Sequence, residues 1–133
     1  MTPIGAIGAF GNSYLPPKKK VEGNKDNKEF ESYKEKNNNH IMTHEKAHRA
    51  AAGSLGGSIV IEKNSDEVAF AGHVPIQIPE VNASNTDLAK IQNEQVKTAA
   101  LAPSDPSGQD YLVAAQAQAN INKALLLIKQ KQG

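Results

Sequence analysis

The chain has 133 residues, enough for one modest domain, and carries 15 basic and 14 acidic side chains for a formal net charge of +1. Such a balance gives no electrostatic case for nucleic acid or a membrane surface, and the run Lys18-Lys19-Lys20 is too short to create one. Cysteine is absent, which excludes disulfides and thiolate metal sites, so any metal must sit on His, Asp or Glu.

Residues 1–25 read as a disordered tail that the fold can do without. Gly5, Gly8, Gly11, Pro16, Pro17 and Gly23 leave little apolar surface to offset the entropy of ordering. Met1 to Phe10 lack a basic n-region and a long apolar core, so no secretory signal is expected and the cytoplasm is the default compartment. No later stretch approaches the roughly 18 apolar residues of a membrane span.

The character changes at Asp26, which with Glu29 resembles a capping box. Phe30, Tyr33, Asn37, His44, His48, Ala51 and Leu55 then recur at helical spacing on one face. Asn37-Asn38-Asn39 is poor helix material, which predicts a restart near residue 38. Gly53 and Gly56-Gly57 end the helix. The runs 58–61 and 68–70, either side of Asn64-Ser65-Asp66, predict a β-hairpin. Residues 73–79 follow as an extended segment, which Pro75 and Pro79 keep out of a central strand. Ser84 or Asn85 can cap a second helix to about Leu101, with Leu88, Ile91 and Ala99 as its apolar positions. Asp105 or Ser107 can cap a third, reaching about Lys131. The core is lean, with aromatics only 5% of the chain, so self-association or a bound metal is expected to supply part of the stability.

His44-Glu45-Lys46-Ala47-His48 matches H-E-x-x-H. Helix positions four apart differ by only about 40° in azimuth, so both imidazoles project from one face and can share a zinc ion. Glu45 lies about 60° from His48, close enough to take a proton from a water on the metal without being a ligand itself. A chance match in a chain of this composition is about one in a hundred. The bland reading is two surface histidines, but the motif sits on the apolar stripe beside Ala47, Ala50, Ala51 and Ala52. The metzincin extension is excluded, because Ala51 stands where that pattern needs Gly. A catalytic site needs a third protein ligand. His40 cannot join the pair, since it lies about 12 Å from His48 along a straight helix. The candidates downstream are His73, Asp87, Glu94 and Asp110. Among them His73 stands out, because Gly72 permits a sharp turn at the end of the hairpin.

These residues resemble the SprA-related family of bacterial proteins, over about residues 26 to 125. The resemblance rests on the H-E-x-x-H block with Ala50-Ala51-Ala52-Gly53, and on Phe70-Ala71-Gly72-His73-Val74-Pro75-Ile76. Its most distinctive part is Ala99-Ala100-Leu101-Ala102-Pro103-Ser104-Asp105-Pro106-Ser107-Gly108-Gln109-Asp110 with the following Val113-Ala114-Ala115. It implies a zincin-like metallopeptidase. The family pattern has Gly-Gly-Glu-Val where this chain has Ala71-Gly72-His73-Val74, and an acidic residue near His40. Glu and His are both zinc ligands, so the resemblance raises His73 above Asp87 and Glu94.

The expectation is therefore a small α+β, zincin-like domain over residues 26–133, built from a motif helix, a β-hairpin and two further helices. Zinc would be held by His44, His48 and His73, with Glu45 as general base in the hydrolysis of a peptide or protein substrate. An extended substrate could pair along the hairpin edge. The oxyanion donor is unassigned, with Tyr111 as one candidate. The alternative from another class is a non-catalytic, zinc-containing binding or scaffold protein.

Overall fold

The computed structural model describes residues 4–8 and 24–132; the rest of the expected tail lies outside the described residues. The order of elements is β1 (Ile4–Ile7), α1 (Asn24–Ala52), a 3-10 turn (Gly53–Leu55), β2 (Val60–Lys63), β3 (Ala69–Gln77), α2 (Thr86–Ala100) and α3 (Gly108–Gln132). The protein is α+β, with three helices and a three-stranded antiparallel sheet among the described residues. Among the described residues, no helix is long and apolar enough to cross a membrane.

α1 runs without a break through the asparagines that were expected to interrupt it. Their side chains are used elsewhere. Asn37 Nδ2 donates to the Ala69 carbonyl at 2.7 Å, Asn38 Nδ2 donates to the Glu67 carbonyl at 3.0 Å, and Asn38 Oδ1 accepts from the Ala69 N–H at 2.8 Å. Bonded to the start of β3, they no longer compete for α1's own backbone, so tertiary contact overrides propensity. The helix ends as the glycines predict. Gly53 has φ 56°, and Arg49 donates to its carbonyl at 3.0 Å.

The hairpin of β2 and β3 forms around Asn64, whose side-chain oxygen accepts from the N–H groups of Asp66 and Val68. Two expectations are corrected here. First, the sheet order is β1-β3-β2, so Pro75 lies in the central strand. In a strand a residue's N–H and C=O point to the same side, and the Pro75 carbonyl accepts from the Gly57 N–H at 2.8 Å. The donor that proline lacks would point the same way, at a place where β2 has not yet begun. Second, residues 4–7 are not tail. They pair antiparallel with β3, in the register Ile4 with Gln77 through Ile7 with Val74. Ile7 is completely buried.

The main core joins Ile7, Leu55, Val74, Ile76 and Ile78 to Val96, Ala99, Ala100, Val113 and Ala117, so the sheet packs on α2 and α3 through mostly small side chains. α2 buries Ala89, Asn93, Val96 and Ala100, not the Leu88 and Ile91 expected from the sequence, which are 60% and 61% exposed. Asn93 is satisfied in the interior by donating to the Pro79 and Ala89 carbonyls and accepting from Asn120. α3 likewise buries Ala124 while Leu125 and Leu126 remain exposed.

Candidate metal centre

His44, Glu45 and His48 lie on the buried face of α1, packed towards β3 and α2. The two rings sit edge to face with centroids 4.7 Å apart, and their Nε2 atoms are 3.1 Å from each other. Between them comes one oxygen of Asp110. Its Oδ2 is 3.2 Å from His44 Nε2 and 3.0 Å from His48 Nε2. Among the described residues, the group able to hold a metal ion is His44, His48 and Asp110.

The start of α3 explains why Asp110 is there. The Asp110 N–H donates to Ser107 Oγ at 3.1 Å, and the Ser107 N–H donates back to Asp110 Oδ2 at 2.9 Å. This is a capping box in which the returning acid is Asp, and it fixes the carboxylate at the first turn. The remaining oxygen, Oδ1, accepts from the Gly8 N–H at 2.7 Å.

The outer nitrogens of both rings are also held. His48 Nδ1 donates to the Ala99 carbonyl at 2.7 Å, which leaves its Nε2 as a lone pair. His44 Nδ1 donates to Asp105 Oδ1 at 3.2 Å, and Asp105 Oδ2 lies 3.3 Å from Nε2 of the half-exposed His40. A carboxylate or carbonyl behind each imidazole is the arrangement that orients metal-binding histidines. Three electron pairs then converge on one point, which requires a proton or a cation between them. Asp110 is fully buried, and burial alone would raise its pKa. The close contacts with His44 and His48 and the hydrogen bond from the Ser107 N–H outweigh this and hold it well below the usual carboxylate range. Burial opposes charge on His44, but Asp110, Asp105 and the field of Glu45 together push its pKa up from 6.5. Asp105 is lowered against its own burial by His44 and His40.

His73, expected as the third ligand, is not in this group. From Gly72 onward β3 alternates: Gly72, Val74 and Ile76 are buried, while His73 and Pro75 are half-buried and Gln77 is exposed. A Cβ on Gly72 would meet Glu45 Cγ at 2.8 Å, so that parity faces α1 and His73 faces away. Asp87 and Glu94 are exposed on α2, with Glu94 bonded to Lys90, and Tyr111 is 57% exposed. The signal for Asp110 was present as Ser107-Gly108-Gln109-Asp110, a capping-box pattern inside the most distinctive block of the sequence.

Fold and site together define a small α+β protein with a buried two-histidine, one-aspartate cluster on an H-E-x-x-H helix. The chain belongs to the SprA-related family, whose profile matches residues 18–132. No curated protein and no solved structure is similar enough to match it.

Proposed function

We propose that the protein is a zincin-like zinc metallopeptidase in which His44, His48 and Asp110 hold the ion and Glu45 is the general base. The convergence of His44 Nε2, His48 Nε2 and Asp110 Oδ2 carries this reading. Their mutual separations of 3.0 to 3.2 Å approach the roughly 3.3 to 3.4 Å edge of a tetrahedron with zinc–ligand bonds of about 2.0 to 2.1 Å. The donor set also fits by chemistry, with two oriented imidazole lone pairs and an ionised carboxylate.

Bound there, zinc supplies a Lewis acid that polarises a peptide carbonyl and acidifies a water. The chain's own residues do the rest. Glu45, one position along α1 from the first ligand, accepts the proton of the attacking water and returns it to the leaving amine. Asp105 and the Ala99 carbonyl hold the two rings in the tautomer that presents Nε2. A zinc ion held by His44, His48 and Asp110 would keep one position for water, as catalysis requires. The burial of the centre favours a second reading, a closed structural zinc site in a binding or scaffold protein.

Metal analysis together with a Glu45→Gln variant separates the two. The catalytic reading expects about one zinc per chain in both proteins, with hydrolysis of casein or a peptide library by the wild type only. Zinc retained in both with no hydrolysis by either favours the structural site. No zinc uptake by either protein removes both readings.

A further inference from the structure

The centre is sealed: His44 is 4% exposed, and Glu45, His48 and Asp110 are at zero. The segment Ile4–Gly8 lies directly against it. β1 is an edge strand, antiparallel to β3, which is how an extended peptide adds to a sheet. Its last two residues lead into the site. Both polar backbone groups of Gly8 are gripped by the capping box of α3: its N–H donates to Asp110 Oδ1 at 2.7 Å, and its carbonyl accepts from Ser107 Oγ at 2.6 Å. Two residues earlier, Gln109 Nε2 donates to the Ala6 carbonyl at 3.4 Å. Side chains that hold a backbone in this way would hold any extended peptide of the same outline.

The outline itself is selective. At Gly8, φ is 155°, and a Cβ would stand 2.5 Å from Glu45 Oε1, 2.6 Å from His73 Cα and still closer to the Gly72 carbonyl. Two of those obstacles are backbone, so the position facing the general base admits glycine and excludes side chains. The position before it is the reverse. Ile7 is fully buried in the core with Val74 and Ile76, whereas Ile4, at the far end of the strand, is 74% exposed.

We propose that Ile4–Gly8 occupies the peptide-binding groove of the metal centre as a displaceable internal ligand, and that the groove takes extended peptides in which an aliphatic residue is followed by glycine at Glu45. The proposal rests on the metallopeptidase reading for its chemistry, but binding can be read without turnover. An occupant tethered to its own groove acts at an effective concentration on the order of millimolar, so it masks the groove from dilute peptide.

The test uses the zinc-loaded full chain carrying Glu45→Gln, with and without Gly8→Val, and a fluorescein-labelled Ile-Gly-Ala-Ile-Gly peptide followed by anisotropy. Gly8→Val should bind the peptide at least about tenfold more tightly than the chain with Gly8 intact. A peptide ending Ile-Val should bind neither. Equal or absent binding in the two proteins overturns the proposal. A chain lacking residues 1–8 serves as the second variant. If both it and Gly8→Val lose their far-UV helical signal, β1 is a permanent strand and the proposal fails. Hydrolysis is scored separately, with Glu45 restored. Peptide binding without cleavage overturns the metallopeptidase reading and leaves the groove standing, whereas cleavage without unmasking does the opposite.

Discussion

Asp110 uses both oxygens inside the protein, one towards the two imidazoles and the Ser107 N–H, the other towards Gly8. Asp110→Asn keeps the size but loses the charge, and should lower zinc affinity by at least about 10-fold, read by competition with a chromophoric chelator. If zinc binds as proposed, protons compete with it for the same three side chains. His44 is raised above 6.5, so in the metal-free protein its pairing stabilises fully below about pH 6.5 and is lost as pH rises through the raised value. Asp110 is lowered, so its contribution is present above about pH 4 and is lost only in stronger acid. The melting temperature of the metal-free protein should therefore fall as pH rises above about 6.5, while the increment on adding zinc grows in the same direction. A zinc increment that shrinks with rising pH would contradict this assignment. In the sequence, His44, Glu45 and His48 were legible because a helix fixes their relative azimuth. Asp110, which completes the cluster, is one candidate among four in the sequence, where His73 is preferred to it. What the sequence does not show is the alternation of β3, which packs Gly72 on Glu45 and turns His73 away.

At the scale of elements, the sequence marks helices by caps and periodicity, but large side chains mislead where the core is built from small ones. Leu88 and Ile91 look like α2's apolar stripe, yet α2 turns Ala89, Asn93, Val96 and Ala100 inward, a face built mostly from small side chains and packed chiefly on α3. Leu88→Gln should therefore change stability by no more than about 0.5 kcal/mol. Ala89→Leu should cost about 1 to 3 kcal/mol by overpacking, both measured by urea unfolding. The hairpin was legible from its β-prone runs and its Asn turn. β1 was not, since four residues among glycines carry no periodic signal and gain order only from a β3 some 70 residues away. Ser107→Ala should cost about 1 kcal/mol as a lost cap. It should also weaken zinc binding, because the carboxylate at Asp110 loses the hydroxyl that holds its own N–H.

Across the whole molecule, the buried cluster adds cohesion to a core short of large side chains. Zinc at about 100 times its dissociation constant should contribute about 2.7 kcal/mol, so chelation should lower the melting temperature by roughly 10 °C. A melting temperature indifferent to chelator would show that the cluster is self-sufficient. The sequence separations within the cluster are long: 62 residues from His48 to Asp110, and 102 from Gly8 to Asp110. At about 5 to 20 residues per second, the ribosome makes Ile4–Gly8 well before every group that receives this segment. Seconds of synthesis pass in which this segment has nowhere to go. Contacts of such long range close after local ones, so α1 and the hairpin should gain amide protection before β1 does. In pulse-labelled refolding, the N–H of Gly8 should be among the last to become protected, which would make this stretch the final piece placed although it is made before all of its partners.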